Sequence, residues 1–121
     1  MKLPRLWWLP IGPVPEISPQ DFSRWLAEEN PVQVVDSRTG PEYSAGTIGA
    51  AQHAPVTEMP GVMTALELDP ARPVVVLCLS GHRSRPGTRW LRARGYEAYS
   101  LAGGVLAWKR AGYRTQKPGS E

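Results

Sequence analysis

The chain has 121 residues, of which 41% are hydrophobic and 21% charged, so it suits one globular domain with an apolar core and excludes a disordered chain. Its formal net charge of +3 is uneven: residues 1–77 carry five basic and nine acidic side chains, whereas residues 78–121 carry nine basic and two acidic ones. The single cysteine, Cys78, excludes an internal disulfide and a multi-cysteine zinc site, and two histidines are too few for the usual metal sites. We therefore expect a cytoplasmic protein without a metal or another cofactor.

An apolar stretch, LWWLPIGPVP, occupies residues 6–15 near the amino terminus. It is too short to cross a bilayer, its prolines would break a helix, and it is not followed by the small-residue cleavage site of a secretion signal. We therefore predict no membrane span, and an extended arm over residues 1–14 of the mature protein. The alternative is that the Trp7–Trp8 pair docks on a partner or a membrane surface, because exposed tryptophans can act as anchors.

Helix and strand signals alternate between residues 15 and 113, which is typical of an α/β domain with a mainly parallel sheet. Ser18 is a good helix N-cap, Pro19 suits the first helical position, and Asp21 can complete a capping box. The polar residues 114–121 are predicted to be a flexible tail. The other elements predicted in the first half are a helix end near residue 30, a strand over residues 32–36, a polar loop over 37–41, one short strand within 46–57 and a weak helix after Pro60.

The clearest strand is Pro73–Cys78, which is continuously apolar and rich in β-branched residues, as expected for a central strand that is covered on both faces. A tight loop follows directly. Ser84 then opens a helix whose start contains Pro86, which a first helical turn tolerates. The remaining predicted elements are a helix end near Gly95, a strand over residues 98–101, a turn at Gly103–Gly104 and a last helix that ends by Gly112.

Cys78 lies at the carboxyl end of this strand, where ligands bind in open α/β sheets. Gly81 permits a turn that points loop amides inward, the following helix directs its positive end to the same place, and Arg83 and Arg85 add full charges. These effects favour thiolate over thiol, so we predict a nucleophilic Cys78 that is held by inward-pointing amides and open to water. The alternative is a buried structural cysteine. His82 is a candidate general base. Since a nucleophile that is already ionised needs no base, we favour the alternative that His82 is a loop residue whose side chain points to solvent.

Three sequence motifs occur in order along the chain. They are VVDSRTGPEYSAG at residues 34–46, CLSGHRS at 78–84 and LAGGVLAW at 101–108. Together they resemble the three signatures of the rhodanese (sulfurtransferase) family. The resemblance implies a three-layer fold in which helices flank a central, mainly parallel, five-stranded sheet. The chain departs from the family pattern at residues 46–55, and residues 86–88 replace the small helix-packing residues that usually follow the second motif.

The resemblance also implies a reaction. Cys78 would attack the outer sulfur of thiosulfate or a similar donor, release sulfite and keep a persulfide, which cyanide, a thiol or a protein would then accept. Arg83 would bind an anionic donor or acceptor, while Asp36 and Arg38 would hold the shape of the loop. The substrate-binding residues expected from the resemblance are Leu79, Ser80, Gly81, His82, Arg83 and Ser84.

Two other functions on the same fold stay open. Related phosphatases and arsenate reductases have a loop one residue longer, with arginine at the sixth position after the cysteine, whereas here Arg83 is the fifth residue and Ser84 the sixth. A persulfide carrier or a partner-binding module is the other alternative. The arginines of the helix after the loop are expected to form a solvated face that attracts an acidic acceptor protein rather than a nucleic acid, since no aromatic stacking motif accompanies them. These arginines are Arg85, Arg89, Arg92 and Arg94.

Overall fold

The structure is a computed structural model, and it describes residues 13–29 and 31–119. The Trp7–Trp8 pair lies outside the described residues, as does most of the predicted arm. This also applies to the alternative that the pair docks on a partner or a membrane surface. Among the described residues, no helix is long and apolar enough to cross a membrane.

In the described parts of the chain, five strands form one parallel sheet. In chain order they are β1 (Glu16–Ile17), β2 (Gln33–Asp36), β3 (Gln52–His53), β4 (Val74–Leu77) and β5 (Ala98–Leu101). Their order across the sheet is β1-β5-β4-β2-β3. The helices are α1 (Pro19–Leu26), α2 (Gly40–Ala45), α3 (Arg85–Ala93) and α4 (Gly104–Arg110), with two short 3-10 helices at Val56–Glu58 and Gly61–Ala65. The predicted five-stranded parallel sheet with flanking helices is confirmed.

The strand β4 is the centre of the fold, because all four of its side chains are buried and they alternate between the two faces of the sheet. Val75 and Leu77 belong to one core cluster, and Val74 and Val76 belong to the other. Since both faces are covered, the carboxyl end of this strand is a rigid support for Cys78, which follows it. The large residues that complete the two clusters include Phe22 and Trp108 on the first face and Trp90, Leu91 and Met63 on the second.

The start of α1 agrees with its predicted cap, but its end does not. The Asp21 amide donates a hydrogen bond to the Ser18 hydroxyl at 3.1 Å, which satisfies one of the free N–H groups of the first turn. The helix ends at Leu26, earlier than predicted. Glu28 and Glu29 are exposed, so a longer helix would bury no further apolar surface and would gain little stability.

The prediction of a polar loop over residues 37–41 is wrong in its second half, because α2 starts at Gly40. Thr39 and Glu42 form a capping box: the Glu42 amide donates to Thr39 Oγ1 at 3.4 Å, and the Thr39 amide donates to Glu42 Oε1 at 3.1 Å. The sequence also does not predict β1, whose two residues pair with β5. Two residues are too few for an alternating pattern to be recognised.

The tail prediction is wrong for residues 114–116, which are attached to the domain. Gln116 pairs antiparallel with Thr47 through two backbone hydrogen bonds of 2.7 and 2.8 Å. The Arg114 carbonyl accepts a hydrogen bond from the Trp108 indole at 2.8 Å. Thr47 and Trp108 are buried, so their N–H groups need partners, and this segment supplies them.

Candidate active site

The first turn of α4 holds the start of the Cys78 loop, which comprises residues 78–84. The Cys78 carbonyl accepts a hydrogen bond from the Val105 amide at 2.8 Å. The next carbonyl, that of Leu79, accepts one from the Leu106 amide at 3.0 Å. This contact requires Gly104, which has a φ of +65° and on which a Cβ would lie 2.5 Å from the Cys78 carbonyl oxygen. The glycine pair of the third motif therefore lets α4 begin directly against the loop.

The sulfur of Cys78 accepts a hydrogen bond from the Gly81 amide, with 2.7 Å between nitrogen and sulfur. The turn that makes this contact has a φ of +104° at Gly81, as expected of a glycine position. In the part of the chain that the structure describes, the amides of Ser80, His82 and Arg83 have no backbone acceptor. Of the predicted ring of amides, the contact that the structure shows with the sulfur is that of Gly81.

Cys78 is buried, with 1% of its surface exposed. In this conformation the sulfur is therefore not open to water as predicted. Two side chains of the loop, those of Ser80 and His82, are exposed, and 3.5 Å separates Ser80 Oγ from His82 Nδ1. The exposure of His82 is what we expect of a loop residue that points to solvent, the role favoured above over that of a general base.

Arg83 is already paired with a carboxylate. Its Nη1 and Nη2 atoms donate to Glu42 Oε1 and Oε2 at 3.0 and 3.1 Å, which makes a bidentate pair. The hydrogen bonds from Arg83 lower the pKa of Glu42 to about 2. The same hydrogen bonds raise the pKa of Arg83, and the charges of Cys78 and Asp36 raise it further. Arg83, which is predicted to bind an anionic substrate, is therefore paired with the Glu42 carboxylate of α2.

Asp36 and Arg38 form a buried ion pair, with 0% and 4% of their side chains exposed. Arg38 Nη2 donates to Asp36 Oδ2 at 2.8 Å and to the Gly46 carbonyl at 2.5 Å. The Thr47 hydroxyl donates to the same carboxylate at 2.8 Å. The two charged side chains therefore fix the segment that runs from β2 to Thr47, and these hydrogen bonds do not run to the Cys78 loop.

Two serines connect the Cys78 loop to its surroundings. The Ser37 hydroxyl donates to the Leu77 carbonyl at 2.6 Å and lies 3.4 Å from the Arg83 carbonyl. The Ser84 hydroxyl donates to the Gly81 carbonyl at 3.3 Å and so closes the loop from its other end. Ser84 is among the residues predicted from the sequence, whereas Ser37 is not, because its only signal is its place within the first motif.

The arginines of the predicted solvated face agree with that prediction in part: Arg92 and Arg94 are exposed, whereas Arg85 and Arg89 are half-buried. Arg92 lies 5.1 Å from the centre of the Tyr99 ring, and Arg94, which caps the end of α3, lies 3.7 Å from the centre of a tryptophan ring in that helix. Burial lowers the pKa of Arg89, and the charge of Arg85 lowers it further. Arg92 and Arg94 therefore stack on aromatic rings at the surface, while Arg85 and Arg89 repel one another.

The groups around Cys78 suit an anion and a nucleophilic sulfur. The loop supplies a backbone N–H donor to the sulfur, and its cysteine is the one thiol of the chain. A thiol beside such a donor can take part in covalent transfer of a group to and from sulfur. Within the described residues, no group of three or more histidine, cysteine, aspartate or glutamate side chains could hold a metal ion.

Proteins with similar sequences and folds include sulfurtransferases. The family model described as Rhodanese-like domain matches residues 18–111. A sulfurtransferase from Allochromatium vinosum is 37% identical over 100 residues, which cover 82% of this chain and 92% of that protein. Thiosulfate sulfurtransferase GlpE from Pseudomonas fluorescens is 36% identical over 92 residues, which cover 75% and 82%. A solved rhodanese-like domain protein from Staphylococcus aureus has a TM-score of 0.69 and 29% identity over 78% of this chain and 91% of that one. The chain therefore belongs to the rhodanese-like domain family.

Proposed function

We propose that the protein is a sulfurtransferase that moves sulfane sulfur from thiosulfate or a similar donor to cyanide, a thiol or a protein. The Cys78 thiolate attacks the outer sulfur of thiosulfate, the S–S bond breaks, and sulfite leaves with the bonding electron pair. Cys78 then carries an anionic persulfide. The acceptor attacks the outer sulfur of this persulfide and releases the Cys78 thiolate, so that cyanide is converted to thiocyanate.

The observation that carries this proposal is the 2.7 Å hydrogen bond from the Gly81 amide to Cys78 Sγ. A donor that is fixed on the sulfur favours negative charge there and needs no reorganisation during the reaction. The amides of Ser80, His82 and Arg83 would hold the outer sulfur of the persulfide. In this proposal residues 79–84 bind the substrate, and Asp36 and Arg38 support the loop through the segment that they fix.

A phosphatase function has weaker support. A phosphoryl group needs an arginine that is aimed at its oxygens, and both Nη atoms of Arg83 are turned to Glu42.

A persulfide carrier uses the same chemistry with a protein as the acceptor, and the positive start of α3 at Arg85 would suit an acidic partner. Since the chain has one thiol and no disulfide, we place this chemistry in a reducing compartment such as the cytoplasm.

Steady-state kinetics test the proposal. With thiosulfate and cyanide as substrates, the initial rates of thiocyanate formation should follow a ping-pong pattern, because sulfite leaves before cyanide reacts. Cys78→Ser should be inactive, while Glu28→Gln, which changes an exposed side chain beyond the end of α1, should retain activity. Hydrolysis of an aryl phosphate without any thiocyanate formation would contradict the proposal and favour the phosphatase.

A further inference from the structure

The Glu42 carboxylate is held by hydrogen bonds from two sides. Arg83 Nη1 and Nη2 donate to Oε1 and Oε2 at 3.0 and 3.1 Å. The Thr39 amide and hydroxyl donate to Oε1 at 3.1 and 3.0 Å. The Arg83 and Glu42 side chains are 34% and 26% exposed, so an anion from solution can reach the pair. The carboxylate therefore occupies the place on Arg83 that a substrate anion would take.

We propose that Glu42 determines the class of sulfur donor by occupying the guanidinium of Arg83. This inference rests on the proposed sulfurtransferase function and deepens it. Because Arg83 is neutralised within the protein, the second negative charge of a dianion such as thiosulfate has no partner there and is repelled by both Glu42 and the Cys78 thiolate. An alkyl persulfide that reacts in its protonated form, R–S–SH, brings no negative charge that needs Arg83, so it is the donor class that this site favours.

Transfer from a persulfide needs no other reactant. The Cys78 thiolate attacks the outer sulfur of R–S–SH, and the S–S bond of the donor breaks. The R–S⁻ fragment leaves with the bonding pair and takes the proton of the outer sulfur. The products are the anionic Cys78 persulfide and the thiol R–SH, so the electrons balance without an external oxidant or reductant.

The substitution Glu42→Gln separates the charge of this residue from its structural role. Glutamine serves as well as glutamate at the third helical position of a capping box, so the start of α2 is retained. A matched control is Glu28→Gln, which removes the same charge elsewhere. Glu28 lies near Val32 and Pro73, which precede β2 and β4 at the edge of the sheet opposite to Cys78.

The experiment has a binding arm and a kinetic arm. In the Cys78→Ser background, calorimetry should show that Glu42→Gln binds thiosulfate roughly three- to tenfold more tightly, whereas Glu28→Gln does not. In the active enzyme, Glu42→Gln should raise kcat/KM for thiosulfate by a similar factor, mainly through a lower KM. For an alkyl persulfide without other charged groups, kcat/KM should change by less than about twofold, because such a donor does not use Arg83.

A double-variant test shows whether Glu42 acts through Arg83. In an Arg83→Gln background, Glu42→Gln should tighten the binding of thiosulfate less than it does when Arg83 is present, because it then removes only the direct repulsion by the carboxylate. An equal gain in both backgrounds would contradict an action through Arg83. The inference is overturned if the wild type transfers sulfur and Glu42→Gln leaves the thiosulfate Kd unchanged or weaker, or if Glu28→Gln gives an equal gain. A wild-type enzyme that takes up no sulfur from either donor would instead overturn the proposed function, whatever Glu42 does.

Discussion

Gly104 packs its Cα directly against the carbonyl oxygen of Cys78, so closely that a Cβ would lie 2.5 Å from that oxygen. The neighbouring Val105 amide donates to the same carbonyl at 2.8 Å. The third motif of the sequence is therefore a structural support for the second one. The position of Cys78 therefore depends on how closely α4 approaches the end of β4.

The first prediction concerns this approach. Gly104→Ala should destabilise the protein by about 2–4 kcal/mol, because an alanine meets both an unfavourable positive φ and two backbone carbonyls that have little room to move. Gly112→Ala is the matched control, since Gly112 has a φ of +92° but no atom lies within 4 Å of the place that a Cβ would take there. Urea unfolding of both variants measures the difference. Equal losses of unfolding free energy in the two variants would show that the close approach of Gly104 to the Cys78 carbonyl contributes nothing to stability.

The second prediction compares a buried ion pair with an exposed one. Arg38→Ala should cost about 3–5 kcal/mol of unfolding free energy, because it leaves the Asp36 carboxylate buried without its charge partner. Arg24→Ala breaks a pair with Asp21 whose side chains are 75% and 48% exposed, so it should cost less than about 1 kcal/mol. Urea unfolding again gives both values. A loss for Arg38→Ala as small as that for Arg24→Ala would contradict the supporting role of the buried pair.

The third prediction is a pH dependence of stability. The pKa of Glu42 falls from 4.5 to about 2 on folding, because Arg83 donates to its carboxylate. Between these two values the unfolded chain binds more protons than the folded one, so the contribution of Glu42 is complete above pH 4.5 and is lost as the pH falls towards 2. We expect this contribution to be about 1 kcal/mol, since the pair is partly exposed. Glu42→Gln should show a correspondingly weaker loss of stability in acid; an identical loss in both proteins would be evidence against the ion pair.

The fourth prediction concerns access to the nucleophile. Because 1% of the Cys78 surface is exposed, a bulky thiol reagent should be hindered much more than a small one. The ratio of the reaction rates with a small and a bulky methanethiosulfonate should be at least about tenfold higher in the folded protein than in urea, because the small reagent needs a smaller local opening of the loop. The same ratio in both states would indicate an open site.

The sequence predicts best those features that are encoded by neighbouring residues. The Ser18 cap, the buried strand before Cys78 and the Gly81 turn are encoded by neighbouring residues, and their predictions agree with the structure. The pairing of Arg83 with Glu42 joins residues that are far apart in sequence, so no local pattern indicates it. The antiparallel contact of Gln116 with Thr47 was missed for the same reason.

The start of α2 was not predicted, for a different reason. Thr39 and Glu42 have the spacing of a capping box, which was present in the sequence but stood beside Gly40 and Pro41, residues typical of turns. The burial of Cys78 also differs from its prediction, because the strand end and the glycine of the loop indicate where the sulfur lies but not how closely the rest of the domain packs around it. Solvent exposure is a property of the packed elements together.

The most direct test of the account is the mass of the intact protein after incubation with a sulfane sulfur donor and removal of excess reagent. The wild type should gain the mass of one sulfur atom, peptide mapping should locate it on Cys78, and subsequent cyanide should remove it and yield an equal amount of thiocyanate. Cys78→Ser should gain nothing. A wild type that gains no sulfur from thiosulfate or from an alkyl persulfide, or a gain that persists in Cys78→Ser, would contradict the account.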